Sequence, residues 1–102
     1  MMAKLIALYH PPADPAAFDQ YYRATHAPLA HRIPKLRSYT ISTAPPRVLA
    51  GQPVYLAAEL TFDSMADLDA ALESPEGQAT AGDLANFAQA GVTLLVFDSE
   101  AV

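Results

Sequence analysis

Among the side chains that could carry chemistry in this 102-residue chain, His26 stands first. If the residues before it are helical, Phe18, Tyr22 and Thr25 or His26 recur at i, i+4 and i+7 or i+8 and stack on one stripe that runs from the core out to His26. An imidazole at the rim of a helix–sheet pocket titrates near neutrality and suits general acid–base work. The same residue at a helix end also serves as a cap, its charged form favoured by the helix dipole or its ring bonded to a carbonyl. Tyr22, one turn before His26, could orient the imidazole or bind a substrate oxygen, and Tyr21 adds a second phenol. Both tyrosines read equally well as core edge. Glu59 sits in mid-strand between apolar neighbours, so it must be solvated, protonated or paired, with Arg37 of the preceding strand as the expected partner. Around a His26–Tyr22 centre, the candidate substrate-contacting side chains are Tyr21, Phe18, Tyr39 and Glu59.

Other chemistries lack their residues. His10, His26 and His31 form no His-x-His or His-x-x-x-His pair, and the chain has no cysteine, so a metal site is not expected. No Gly-rich phosphate loop, Rossmann fingerprint or Gly-x-Ser-x-Gly turn is present, so no nucleotide cofactor and no serine hydrolysis is expected either.

The elements that must position His26 are punctuated by proline and by capping residues. Leu5 to Tyr9 is a continuous apolar run stopped by Pro11 and Pro12, which predicts the first strand. Asp14-Pro15 predicts a helix start, and the helix should reach Thr25 or His26. Pro28 and Pro34 disfavour helical geometry at Ala27 and Ile33, so residues 27–35 are expected to form a loop that leaves His26 at a helix end. Leu36 to Thr43 alternates as a second strand with Arg37, Tyr39 and Ile41 on one side. Val54 to Phe62 alternates as a third, with Val54, Leu56, Ala58, Leu60 and Phe62 on one face. Asp63-Ser64 caps a helix holding Met65, Leu68 and Leu72. Ser74-Pro75-Glu76 restarts a second helical stretch to Ala88, Gly91 ends it, and Val92 to Phe97 is a last strand.

This order is β-α-β-β-α-β, an α+β ferredoxin-like arrangement: a four-stranded antiparallel sheet with the helices on one face, in one domain over residues 1–102. The first and last strands are apolar on both sides, so the face away from the helices needs cover. A second copy laying its sheet against it would close a dimeric α/β barrel. Composition agrees: 52% of residues are hydrophobic and 17% charged, which excludes disorder and favours an oligomer, with much of the apolar count being alanine. A net charge of -5 leaves no basic surface for nucleic acid or anionic membrane. No segment is long enough to span a bilayer, and a cytoplasmic protein is the expectation.

Two stretches resemble a known family when taken together. They are Phe18 to Leu29 with Ile33 to Tyr39, carrying Tyr-x-x-x-His-x-Pro-Leu, and Ser74-Pro75-Glu76-Gly77 with Gly82-Asp83-Leu84-Ala85-Asn86-Phe87. They resemble the EthD family, a dimeric α/β-barrel group related in shape to muconolactone isomerases and antibiotic-biosynthesis monooxygenases. The resemblance covers nearly the whole chain, with one departure: Lys35 stands where members commonly have Gly. It implies a ligand cavity between helices and sheet, with His26 as the motif histidine and Tyr22 as the motif aromatic. The function expected on these grounds is a small homodimeric enzyme acting on an apolar cyclic or aromatic metabolite. Oxidation, isomerisation or decarboxylation would proceed by proton transfer through His26, without metal or nucleotide cofactor. The alternative is an accessory or binding protein that holds a hydrophobic small molecule or assists a partner oxygenase.

Overall fold

A computed structural model describes residues 2–102. Its strands are β1 (Met2–Tyr9), β2 (Ser38–Ile41), β3 (Leu56–Phe62) and β4 (Val92–Ser99), all paired antiparallel in the order β2-β3-β1-β4. Two helical crossovers cover one face. The first comprises α1 (Pro15–Tyr21), a π-helical turn (Tyr22–His26) and α2 (Ala27–His31); the second comprises α3 (Met65–Glu73) and α4 (Pro75–Phe87). None of these helices is long and apolar enough to cross a membrane.

The caps form where the sequence places them. The Asp14 carboxylate accepts from the Ala17 amide, and Ser64 Oγ accepts from that of Asp67. Ser74 serves two helices at once: its amide closes the end of α3 and its hydroxyl oxygen accepts from Gly77 N–H at the start of α4. Gly77 is required at this corner, because a Cβ there would stand 2.1 Å from the Ala71 carbonyl oxygen. Lys35 adopts φ 65°, the left-handed conformation that glycine takes without strain.

One expectation is overturned. The chain does not leave the helix at Ala27: it continues to His31, so His26 lies inside a continuous helical segment rather than at its end. A proline ring in a helix clashes with the carbonyl four residues earlier, here that of Ala24. The turn before Pro28 is widened, with the Ala27 amide bonding the Tyr22 carbonyl, and this absorbs the conflict without breaking the helix.

Strand alternation places the core. Ala3, Ala7 and Tyr9 of β1 face the helices beside Ala58, Leu60 and Phe62 of β3, while Phe62 and Leu68 are fully buried. Burying side chains of this size stabilises the fold by about 1.5–3 kcal/mol each. On the helix-free face, Ile6 and Leu8 run beside Leu95 and Phe97, the last two 46% and 44% exposed, and this apolar strip has no cover within the chain. Glu59 lies on this face as well. Its partner is Lys4, at 2.9 Å, and not Arg37, which pairs instead with Asp63. Register decides this: Lys4 sits opposite Thr61 on the neighbouring strand, within reach of Glu59, while Arg37 falls beyond β2 near Asp63.

Candidate functional site

His26 is 4% exposed and is held at both ring nitrogens. Nδ1 lies 3.0 Å from Asp83 Oδ2, on α4, and Nε2 lies 3.4 Å from the Tyr9 hydroxyl, on β1. The ring rests against Phe87, centroid to centroid at 4.6 Å. Asp83 is itself buried, and its other oxygen accepts from the Tyr21 hydroxyl at 2.6 Å and from Asn86 Nδ2 at 3.0 Å.

This network fixes the protons. Burial pulls the Asp83 carboxyl upward, but the bonds from Tyr21, Asn86 and His26 outweigh it and hold the group below its ordinary value, so it is a carboxylate. A carboxylate only accepts, so His26 Nδ1 must carry a proton and donate it. Burial lowers the His26 pKa, with the Asp83 hydrogen bond and charge offsetting only part of that shift. At neutral pH the imidazole is therefore uncharged, with its lone pair on Nε2. A buried, oriented, neutral imidazole backed by a carboxylate is built to accept a proton and to tolerate the imidazolium that follows.

His26 and Tyr9 border a cavity of about 80 Å³ between sheet and helices. Ala7 and Ala58, opposite each other in register, leave this space; Leu5, Leu60, Ile33 and Leu84 make its walls apolar. Its polar edge is phenolic. Tyr9, Tyr22 and Tyr39 all border it, and the Tyr22 and Tyr39 hydroxyls are hydrogen-bonded to each other. Burial raises all three phenols above their ordinary pKa, so they stay protonated and able to donate.

The structure brings together His26, Tyr22 and Tyr39 of the residues singled out from sequence. Tyr22 packs on His26 at 5.3 Å between ring centroids, but its hydroxyl turns to Tyr39, and Asp83 orients the imidazole. Tyr21 acts one step back, through Asp83, its ring stacked on Phe87. Phe18 belongs to the aromatic cluster behind the site, against Tyr9, Tyr22 and Phe87, and does not border the cavity. Glu59 is on the far face of the sheet. Asp83 and Tyr9 are the site residues that sequence reasoning misses. The signal for Asp83 is an acid within the second family-like stretch; Tyr9 offers only a strand end.

Residues 10–91 match the EthD domain family, and the chain belongs to it. An uncharacterized 11.0 kDa protein in the thcB-thcC intergenic region of Rhodococcus erythropolis is 43% identical over 103 residues, covering 99% of this chain and 98% of its own. The crystal structure of an EthD family protein from Bacillus halodurans superposes with a TM-score of 0.88 at 37% identity, over 98% of this chain and 100% of that one. More distant structures share the fold alone. A dimeric ferredoxin-like protein of unknown function from Thermobifida fusca matches with a TM-score of 0.69 at 18% identity, over 95% and 90% of the two chains. SnoaB, a cofactor-independent oxygenase from Streptomyces nogalater, matches with a TM-score of 0.65 at 18% identity, over 99% and 95%.

Proposed function

We propose that this chain is a small homodimeric enzyme that removes a proton from an apolar cyclic or aromatic metabolite, with His26 as the general base. The observation that carries this reading is the His26 side chain itself: buried, fixed by a carboxylate at one nitrogen, and set with the other beside the Tyr9 hydroxyl where both residues border an apolar cavity. Nε2 takes the proton and Asp83 stabilises the imidazolium. The Tyr9 phenol, which borders the cavity beside Nε2, is the donor for the anion left on the substrate, and the apolar walls strengthen that contact by disfavouring water. Isomerisation, decarboxylation and attack on oxygen can each follow from such an anion, and SnoaB shows that this fold supports cofactor-independent oxygenation in another protein. The apolar strip of Ile6, Leu8, Leu95 and Phe97 is the proposed contact between copies, in keeping with the dimeric relative of similar fold.

The test pairs wild type with His26→Ala on an apolar metabolite extract, followed by mass spectrometry. Expected is a compound consumed by the wild type and left intact by His26→Ala, which retains it in native mass spectra. Retention by both without consumption by either assigns the chain to the accessory, ligand-holding class instead.

A further inference from the structure

The His26 cavity is too small for the ring that the proton-transfer reading asks it to hold. A cavity that binds benzene has a volume of about 150 Å³, against about 80 Å³ here. Further room adjoins it across one wall. A cleft of about 250 Å³, lined by Tyr22, Arg23, Ala27, His31, Tyr39 and Ile41, opens to the surface, and Tyr22 and Tyr39 are the two residues it has in common with the inner cavity. Those two side chains are held together by their hydroxyl–hydroxyl bond. Inner cavity and cleft together reach the lower end of the range of small-molecule sites, about 300–1,000 Å³.

The two halves differ in chemistry. The inner walls are apolar except for His26, Thr80 and the phenols. The cleft carries the exposed Arg23 guanidinium and the exposed His31 ring, the latter 5.1 Å from the Tyr39 ring, and no carboxylate lines it. Lys4, Lys35 and Arg37 are each paired with an acid; Arg23, Arg32 and Arg47 make no ion pair among the described residues, and of these three Arg23 is the one that lines the cleft. Asp19, one turn before Arg23, lines a neighbouring groove that Arg23 also borders, but its carboxylate accepts from the Tyr55 hydroxyl at 2.9 Å and makes no ion pair with Arg23. An exposed guanidinium free of an ion pair, in a cleft that no carboxylate lines and next to an apolar cavity, matches a planar carboxylate.

We propose that this cleft is the outer half of the binding site. It takes the carboxylate of a small ring carboxylic acid whose ring reaches His26 when the Tyr22–Tyr39 pair parts. The inference rests on the proton-transfer reading above and narrows its substrates to apolar rings with one anionic end. Arg23 is then the specificity-determining residue.

Benzoate and benzamide, alike in shape and different in charge, are the probes, titrated into the full chain while ring signals of His26 and His31 and the Arg23 side-chain signal are followed by NMR. Expected is benzoate binding about tenfold more tightly than benzamide, moving His26 and Arg23 together. Arg23→Gln should bring benzoate down to the benzamide level and leave benzamide unchanged. Equal binding of the two probes, with His26 responding to both, overturns the anion subsite and leaves the proton-transfer site standing. Benzoate that moves Arg23 without His26 is a surface ion only, and overturns the joined site. If neither probe moves His26, the present proposal and the ligand cavity of the proton-transfer reading fall together.

Discussion

Replacing Asp83 with asparagine should change the chemistry of His26 far more than the stability of the fold. The carboxylate accepts three hydrogen bonds: Oδ1 from Tyr21 and Asn86, Oδ2 from His26 Nδ1. An amide offers one oxygen and one NH₂. Placing the oxygen toward His26 would set the NH₂ against two donors. Placing it toward Tyr21 and Asn86 keeps both of those bonds and points the NH₂ at His26 Nδ1. The second arrangement leaves no buried group unpaired, provided that the imidazole moves its proton from Nδ1 to Nε2 and accepts from the introduced NH₂ through Nδ1. The loss in stability is then that of charge-assisted bonds becoming neutral ones, about 1 kcal/mol, or roughly 4–8 °C in Tm for a domain of this size. The loss in function is that of the base: Nε2 becomes a donor, and proton abstraction falls by about 10²–10⁴-fold. Long-range ¹H–¹⁵N spectra of the imidazole read the tautomer directly and need no substrate. Wild type should show the Nδ1–H form and Asp83→Asn the Nε2–H form. An Nδ1–H tautomer in Asp83→Asn, or an Nε2–H tautomer in wild type, would refute the assignment of base and orienter.

Three further perturbations have definite signs. Gly77→Ala places a methyl group 2.1 Å from the Ala71 carbonyl oxygen, which is backbone and has little freedom to yield; a loss of more than about 2 kcal/mol by urea denaturation is expected, as for strain at a fixed backbone site. Lys35→Gly relieves φ 65° and should stabilise the chain by about 1 kcal/mol in calorimetry, since the Lys35–Asp67 contact given up is exposed and long at 3.6 Å. Acid should weaken the fold in two stages. Because burial lowers the His26 pKa in the folded state, its share of stability is complete above the ordinary value of 6.5 and declines as pH falls below it. The Asp83 share, from a carboxyl held below its ordinary 3.8, is complete above that value and is lost as pH falls through the folded pKa. His26→Gln should therefore flatten the drop in urea midpoint between pH 7 and about pH 5; an unchanged slope would locate that loss in other groups.

The frame of the fold is legible in the sequence because its signals are local. Asp14-Pro15, Ser64 and Ser74-Pro75 cap the helices predicted from them, and alternation in residues 54–62 places Ala58, Leu60 and Phe62 on the buried face. The family-like stretches mark His26, and the alternation of the second strand puts Tyr39 on the side that meets Tyr22. What stays hidden depends on distance along the chain. An acid in a helix reads as a solvated charge until the partner 57 residues away is known, and nothing in the spacing joins Asp83 to His26. Tyr9 is an aromatic at a strand end until the fold sets its hydroxyl against Nε2. The Glu59 partner is a question of register, which sequence alone leaves open. Pro28 misleads for a different reason: the rule that proline ends a helix assumes 3.6 residues per turn, and this helix changes its pitch just before the proline.

That change of pitch sets the wall of the cavity. A π turn amounts to one surplus residue threaded into an α-helix, much as a bulge is threaded into a strand. Removing the surplus would restore a regular helix but rotate everything beyond it by about 100°, one residue's angular step. Ala30, which lines the inner cavity, and Ala27 and His31, which line the outer cleft, would swing away from the surface shared with Tyr22. Chain length between Tyr22 and Pro28 is therefore as much a determinant of this site as the identity of any residue in it, and relatives that differ there by a single deletion would have the same motif aimed elsewhere.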